Sequence, residues 1–410
     1  MTAVGRAGTD PENVESMLDA VTDAFRAAAK QIVFDDAEVD SELLRWEGLR
    51  YATRFFNVGL ASELEYHDPA NPHFCRAPSP YLNWGYPNPD GSYLWTMIDG
   101  NHDYRVFGHR GSAHLFDVEA WEGDYADLRN CRVSGGRRDI LGGKSDLQVN
   151  DDGSFEVILS KTVQGSNWIP IVPGAGHIYI RQWFYDWENE KQGTIHIERL
   201  GAHYPAEMPT ERDYATRFNL LLRFLKATVQ PIRAGVQQHY DAEPGTVAFP
   251  NDLLLMDTGK SVSFRNQFYA RGQYQVSHDE AIILEVVPPD AQYWLFHLLS
   301  HFWEMSDSRY RQISVNGHQA TIDDDGVFRA VISHQDPGVP NWLDATGRPK
   351  GLIGGRYNWT DSVPIPTLRK VPFNSLKDEL PPSTPRITPQ ERSEILRRRI
   401  LAARSRGTDW

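Results

Sequence analysis

The sequence predicts a mainly β fold, an antiparallel two-sheet β-sandwich or a pair of pseudo-symmetric sandwiches, decorated by helices near both ends and once in the middle. Three observations lead there. Short alternating apolar runs fill much of the chain between Gly, Asn and Asp clusters, the pattern of half-buried strands and their turns. A stretch beginning at Asp151 recurs from Asp324. Helix-start signals stand at only a few places, each with an identifiable cap.

Along the chain, the first helix begins where Asp10-Pro11 offers a cap with proline at the first helical position. Val14, Leu18, Val21 and Phe25 then recur at helical spacing. A second helix covers about 41–64, with Leu44, Tyr51, Phe55 and Val58 on one face, and ends before Asp68-Pro69. Strands follow at 155–159 and 178–184, where apolar residues alternate with polar ones. The third helix starts at Thr210, with Asp213 three residues on. Tyr214, Phe218, Leu221 and Leu225 make its buried stripe, and Pro231 should kink or end it. Strands resume at 281–287 and 328–332. Seven prolines between Val363 and Pro389 are too many for a sheet interior or a helix, so that segment reads as an extended strap over the surface. The fourth helix follows the capping box Thr388-Pro389-Gln390-Glu391 and carries Ile395, Leu396 and Ile400. These elements divide the chain into an N-terminal helical segment (1–70), a first β unit (71–205), a central helix (206–245), a second β unit (246–362), and the strap with the C-terminal helix (363–410).

Composition narrows the function classes. The 410 residues carry 42 Lys plus Arg against 55 Asp plus Glu, a net charge of −13, which argues against the basic face that nucleic acid requires. Seven arginines between Arg386 and Arg406 read as a solvated helix face docking on an acidic body. Two cysteines, Cys75 and Cys131, and an N-terminus without a signal-peptide pattern point to a cytoplasmic setting. The longest apolar runs, such as 293–299, fall far short of the roughly 20 residues of a membrane span.

The repeat is the most informative feature, because two related copies constrain the whole architecture. Asp-Asp-Gly at 151–153, Asn167-Trp168 and Arg181 to Asp186 recur as 324–326, Asn341-Trp342 and Arg356 to Asp361. The intervals agree within one residue: 14 and 15 from Gly153 to Asn167 and from Gly326 to Asn341, then 14 and 15 to the arginine. Asp-Asp-Gly suits a tight hairpin turn, and the arginine heads a strand. The second copy adds His334 and Asp336 and has Asp344 where the first has Pro170. These extra titratable groups single it out as the site candidate, although His334, Asp336 and Pro337 would also build an ordinary turn.

Asn88-Pro-Asp90, Ile98-Asp-Gly100, Tyr104-Arg105, Asn167-Trp-Ile-Pro170, Arg181 to Asp186 and the run from His334 to Asp344 resemble the bacterial family called domain of unknown function 1214, from about Leu44 to Ala403. The resemblance implies a jelly-roll-like β-sandwich decorated with helices, in bacteria, often actinobacteria, that metabolise hydrophobic compounds. It carries over no catalytic residue.

Familiar cofactor motifs fail on inspection. Gly142-Gly-Lys-Ser145 lacks the first glycine of a phosphate loop, since Arg138 stands there. His196-x-Glu198 reads as a sheet face, and His301-x-x-Glu304 as a polar pair in an aromatic layer. No metal and no cofactor are expected. Arg181 and Arg356, if equivalent, require carboxylate partners when buried, and Asp186, Asp361, Asp336 and Asp344 are the expected ones. The alternative is that one copy keeps this clamp while the other turns toward a ligand. The expected catalytic set is then His334 for proton exchange, Asp336 or Asp344 to orient it, and Arg356 to hold an oxyanion. Trp303, Trp342, Tyr93, Trp95 and Arg181, drawn from aromatic-rich stretches at 81–95 and 294–303 and from the repeated strands, form the expected substrate-binding set. The expected function is binding of a ring-containing hydrophobic metabolite with metal- and nucleotide-independent acid/base chemistry of lyase, isomerase or hydrolase type. The alternative is a non-catalytic carbohydrate or metabolite binding module. The expected partner is a small organic ligand, without nucleic acid, and the edges and flat faces of a sandwich would admit a homo-oligomer.

Overall fold

The computed structural model describes residues 13–80, 82–124, 131–143, 145–237, 250–257, 267–308 and 310–406. The chain opens with α1 (Val14–Val33) and α2 (Glu42–Gly59), the latter running into a π-helical turn, Leu60–Glu65. The first β unit holds β1 (Gly91–Asp99), β2 (Tyr104–His109), β3 (Leu115–Glu122), β4 (Arg132–Ile140), β5 (Ser154–Ser160), β6 (Trp168–Pro170), β7 (Ala175–Trp183) and β8 (Thr194–Arg199). After α3 (Glu211–Gln237) and β9 (Asp252–Asp257), the second unit holds β10 (Gln267–Gln275), β11 (Glu280–Val286), β12 (Ala291–Leu299), β13 (Ser314–Asn316), β14 (Phe328–Ser333), β15 (Trp342–Asp344), β16 (Lys350–Thr360) and β17 (Thr367–Pro372). Two helices, the short α4 (Leu376–Glu379) and α5 (Pro389–Ser405), close the chain.

The pseudo-repeat is architectural. Sheets β1-β7-β3-β4 and β6-β5-β2-β8 of the first unit recur strand for strand as β10-β16-β12-β13 and β15-β14-β11-β17, with β9 added at one edge. Each unit is its own two-sheet sandwich. Val106, Phe116, Val118, Val157, Leu159 and Ile180 fill the first, and Ile282, Leu284, Phe296, Phe328, Ile332 and Ile353 fill the second. A third cluster, Leu115, Ile140, Trp183, Tyr293 and Leu295, welds the two units along the β7 and β12 sheets. The repeated Asn-Trp dipeptide begins a short parallel strand in both copies, pairing Trp168 with Ile158 and Trp342 with Val331.

Several local expectations need correction. The Asp10-Pro11 start lies outside the described residues, and α1 begins at the capping box of Asn13 with Ser16. Val14 and Leu18 are exposed, whereas Met17, Ala24, Ala28, Ile32 and Val33 are buried, so the inward stripe is rotated from the expected one. Tyr214 is exposed while Leu221, Leu222, Phe224 and Leu225 pack against α1 and α2. α3 does not end at Pro231 but continues to Gln237. The proline-rich segment is not simply a strap: 367–372 adds an edge strand to β11, the position where a strand tolerates a proline at its end. Among the described residues, no helix is long and apolar enough to cross a membrane.

Candidate functional site

A cavity of about 350 Å3 lies where the two β units and the 78–87 loop meet. Antiparallel register builds its walls in matched halves. On β1 and β7, Tyr93 stands opposite Arg181; on β10 and β16, Tyr269 stands opposite Arg356. All four side chains line the cavity. Tyr179 and Trp183 join Arg181 at alternate positions of β7, and Arg271 joins Tyr269 on the same face of β10. Trp84, Tyr86 and Trp303 complete an aromatic rim.

The rim holds two residues in strained backbone. Tyr86 and Trp303 have φ of 62° and 59°, a left-handed conformation disfavoured for bulky side chains, and the Tyr86 N–H donates to the Trp303 carbonyl at 3.1 Å. Such strain persists only where surrounding packing enforces it, and it concentrates at ligand sites. Gly354 explains the close fit behind Tyr86, because a Cβ there would collide with the Tyr86 hydroxyl and with His297 Nε2.

The two arginines are equivalent in position but not in electrostatics. Arg181 donates to Asp117 at 3.0 Å and reaches Glu119 at 2.7 Å, both on β3 and both fully buried. Burial pushes the Glu119 carboxyl up to about 7, although Arg181 and Arg138 pull it down. Burial also raises Asp117, again against the pull of the same arginines. In the second unit, β12 offers Leu295 opposite Arg356 where β3 offers Asp117, and His297 where β3 offers Glu119. Arg356 instead donates to the Tyr269 hydroxyl at 2.9 Å and to the Tyr86 carbonyl. Burial drives His297 well below its ordinary range, and Arg356 and Arg271 push the same way, so it is neutral.

The expected carboxylate partners therefore do not hold these arginines. Asp117 and Glu119 do so for Arg181, a pairing visible only once β3 and β7 are in register. Of the expected site residues, Arg356, Arg181, Tyr93 and Trp303 meet at this cavity; His334, Asp336, Asp344, Trp342 and Trp95 do not line it. His334 stacks on His278 with ring centres 4.4 Å apart and places Nε2 3.0 Å from the Val276 carbonyl. Asp336 accepts from the Gly338 N–H and pairs with Arg392 of α5, while Asp344 pairs with Arg311 at 3.0 Å and accepts from the Thr346 N–H. Trp342 donates to the Ser333 carbonyl, and Trp95 is fully buried beneath the helices. The titratable additions of the second copy thus brace turns and α5, because Asp and His beside backbone N–H and C=O groups satisfy local hydrogen bonds first.

Neither of the other polar pairs converges. Glu198 pairs with Arg105 while His196 packs on Phe107; His301 contacts Asp36 at 2.9 Å while Glu304 takes Arg54 and Arg50. No group of three or more metal-ligating side chains forms among the described residues. Sequence reasoning missed Tyr86, Tyr179, Tyr269, Arg271 and His297. The alternation of Tyr269 and Arg271 was the available signal, but the loops between Tyr269 and the second Asp-Asp-Gly differ in length from those of the first copy.

Comparison with known proteins places this geometry in context. No curated protein matches the chain. The crystal structure of an uncharacterised protein from Burkholderia cenocepacia is similar over 88% of this chain and 98% of its own, at 26% identity and a TM-score of 0.80. A protein from Vibrio parahaemolyticus matches over 86% of this chain and 100% of its own, at 11% identity and a TM-score of 0.45. A family model, that of the proteins of unknown function designated DUF1214, matches twice, over residues 96–186 in the first β unit and 266–352 in the second, so each copy of the repeat carries the family's pattern.

Proposed function

We propose that the protein binds a small, ring-containing organic molecule in the cavity between its two β units, without metal or nucleotide. One observation carries this reading: the duplicated strands present matched Tyr-Arg pairs, Tyr93 with Arg181 and Tyr269 with Arg356, to a single cavity. Its volume of about 350 Å3 lies at the lower end of small-molecule pockets, and aromatic walls with a few fixed polar groups are what such pockets require. Tyr93, Tyr179 and Trp183 offer flat surfaces on one side, Tyr86, Tyr269 and Trp303 on the other.

Binding is the reading the geometry supports best. Acid/base conversion is the second: Glu119, paired at 2.7 Å with the cavity-lining Arg181, is a carboxyl that burial raises above its ordinary range. A ligand-observed NMR screen of one- and two-ring compounds tests the proposal. Members of the panel should bind the wild-type protein and lose about tenfold in affinity in Tyr269→Ala or Tyr93→Ala, each of which removes one ring from a wall. A panel with no binder, or binding indifferent to both substitutions, overturns it. Mass spectrometry of a binder after incubation separates retention from turnover.

A further inference from the structure

We infer that the bound molecule carries an anionic head, a carboxylate or an equivalent oxyanion, seated on Arg356 and Arg271, with its ring directed toward Tyr93, Tyr179 and Trp183. This rests on the cavity being a small-molecule site and assigns the ligand's charge and orientation.

The argument is one of counter-charge. Three guanidinium groups line the cavity, Arg181, Arg271 and Arg356. Two buried carboxylates already answer Arg181, with Arg138 sharing Glu119 at 3.3 Å. The second unit supplies no such answer. At the matching positions of β12 stand Leu295 and a neutral His297, neither of whose ring nitrogens has a hydrogen-bond partner among the described residues. Arg356 is buried, its Nε is unpartnered, and its remaining bonds go to a hydroxyl and a carbonyl. Arg271, half-buried, makes no ion pair among the described residues. Its guanidinium lies 4.5 Å from the centres of both the Tyr86 and Tyr269 rings and 5.6 Å from that of Trp303.

Ring faces attract a cation but do not neutralise it. Two guanidiniums held around the same rings, with Arg356 4.7 Å from the Tyr269 centre, repel each other and carry a desolvation cost that an anion from solution offsets. Their planar forks match a carboxylate. The first-unit wall, whose charge is balanced, is left with tyrosine and tryptophan faces for the ring.

Matched probes separate charge from ring binding. Isothermal titration of the full chain near pH 7.5 with 2-naphthoate and its neutral isostere 2-naphthamide should give the carboxylate at least a tenfold advantage, in line with a hydrogen bond to a charged group. Arg271→Gln, at the half-buried arginine of the pair, should cut that advantage by about tenfold while leaving naphthamide affinity within about twofold. Arg356→Gln should do the same, with thermal unfolding to confirm that it folds; Arg271→Gln stands alone if it does not. Equal affinity of the two probes for the wild-type protein overturns the anionic head and leaves the cavity reading intact. An advantage that survives Arg271→Gln overturns the seating. Binding of neither probe overturns the anionic head, and the cavity reading falls with it only if the wider ring panel also yields no binder.

Discussion

Single side chains hold the repeat together, and the two asparagines of the duplicated Asn-Trp dipeptide do so in the same way. Asn341 accepts from the Thr321 N–H at 2.9 Å and donates to the carbonyls of Thr321 and Arg329 at 2.6 and 2.9 Å. Asn167 repeats this with the Gln148 N–H and the carbonyls of Gln148 and Glu156 at 2.8, 2.7 and 2.9 Å. The following tryptophans donate to the carbonyls of Ser333 and Ser160. The motif most visible in the sequence is therefore a brace between a loop and a strand, and its recurrence reports architecture. The bonds are alike but the burial is not: Asn341 is buried and Asn167 half-buried. Orphaning backbone groups is costly only where water cannot replace the lost partner. Asn341→Ala should cost about 2–4 kcal/mol and Asn167→Ala about half of that or less, read as shifts in urea midpoint. Equal losses would show that burial does not set the difference.

At the level of elements, α5 departs most from its sequence reading. Its capping box, Thr388 with Glu391, and the proline at its start are where the sequence places them. Of its arginines, Arg397, Arg398 and Arg404 form the expected solvated face, but three others do not. Arg392, Arg399 and Arg406 fall seven residues apart and turn inward, over Trp342, Trp187 and the Phe184–Trp187 pair. Burial lowers the pKa values of Arg399 and Arg406 to about 10, Asp90 pulling against it. Net charge could not reveal this, because apart from Asp336 the partners are aromatic rings, carbonyls and uncharged side chains scattered over both units. Arg392 is the anchor: it pairs with Asp336 at 3.0 Å, donates to Gln312 at 2.8 Å, and also binds the Val339 carbonyl. Arg392→Ala should cost roughly 3 kcal/mol by leaving these acceptors without their donor. It should also loosen α5, so limited proteolysis in the 381–388 connection should speed up together with the fall in thermal midpoint. A destabilised variant whose connection is cut no faster would assign Arg392 to the core of the second unit alone.

Across the whole molecule, the duplication was legible because turn and strand residues sit at near-constant intervals, whereas the cavity was not. Its charge pattern arises from register between strands more than 50 residues apart, Asp117 with Arg181 and Leu295 with Arg356, and no local spacing encodes that. The same burial sets a pH dependence with two opposed contributions. Glu119, raised to about 7 in the fold, takes up a proton in the native state before the unfolded chain does, so it adds stability as pH falls from 7 toward 4.5. His177 works the other way. Burial against Trp121 lowers it to about 4, with the Gly123 carbonyl pulling upward, so the unfolded chain binds a proton that the native state refuses. Its contribution is lost as pH falls from about 6.5 to 4, roughly 3 kcal/mol in all. The wild-type curve mixes both, and only a difference isolates one. His177→Gln, which cannot titrate, should gain about 3 kcal/mol relative to wild type between pH 6.5 and 4 in urea unfolding, whatever constant offset the lost stacking on Trp121 introduces. A difference that stays flat across that window would mean that His177 is protonated in the native state or reached by solvent, and the acid edge would then belong to other buried groups, among them His297.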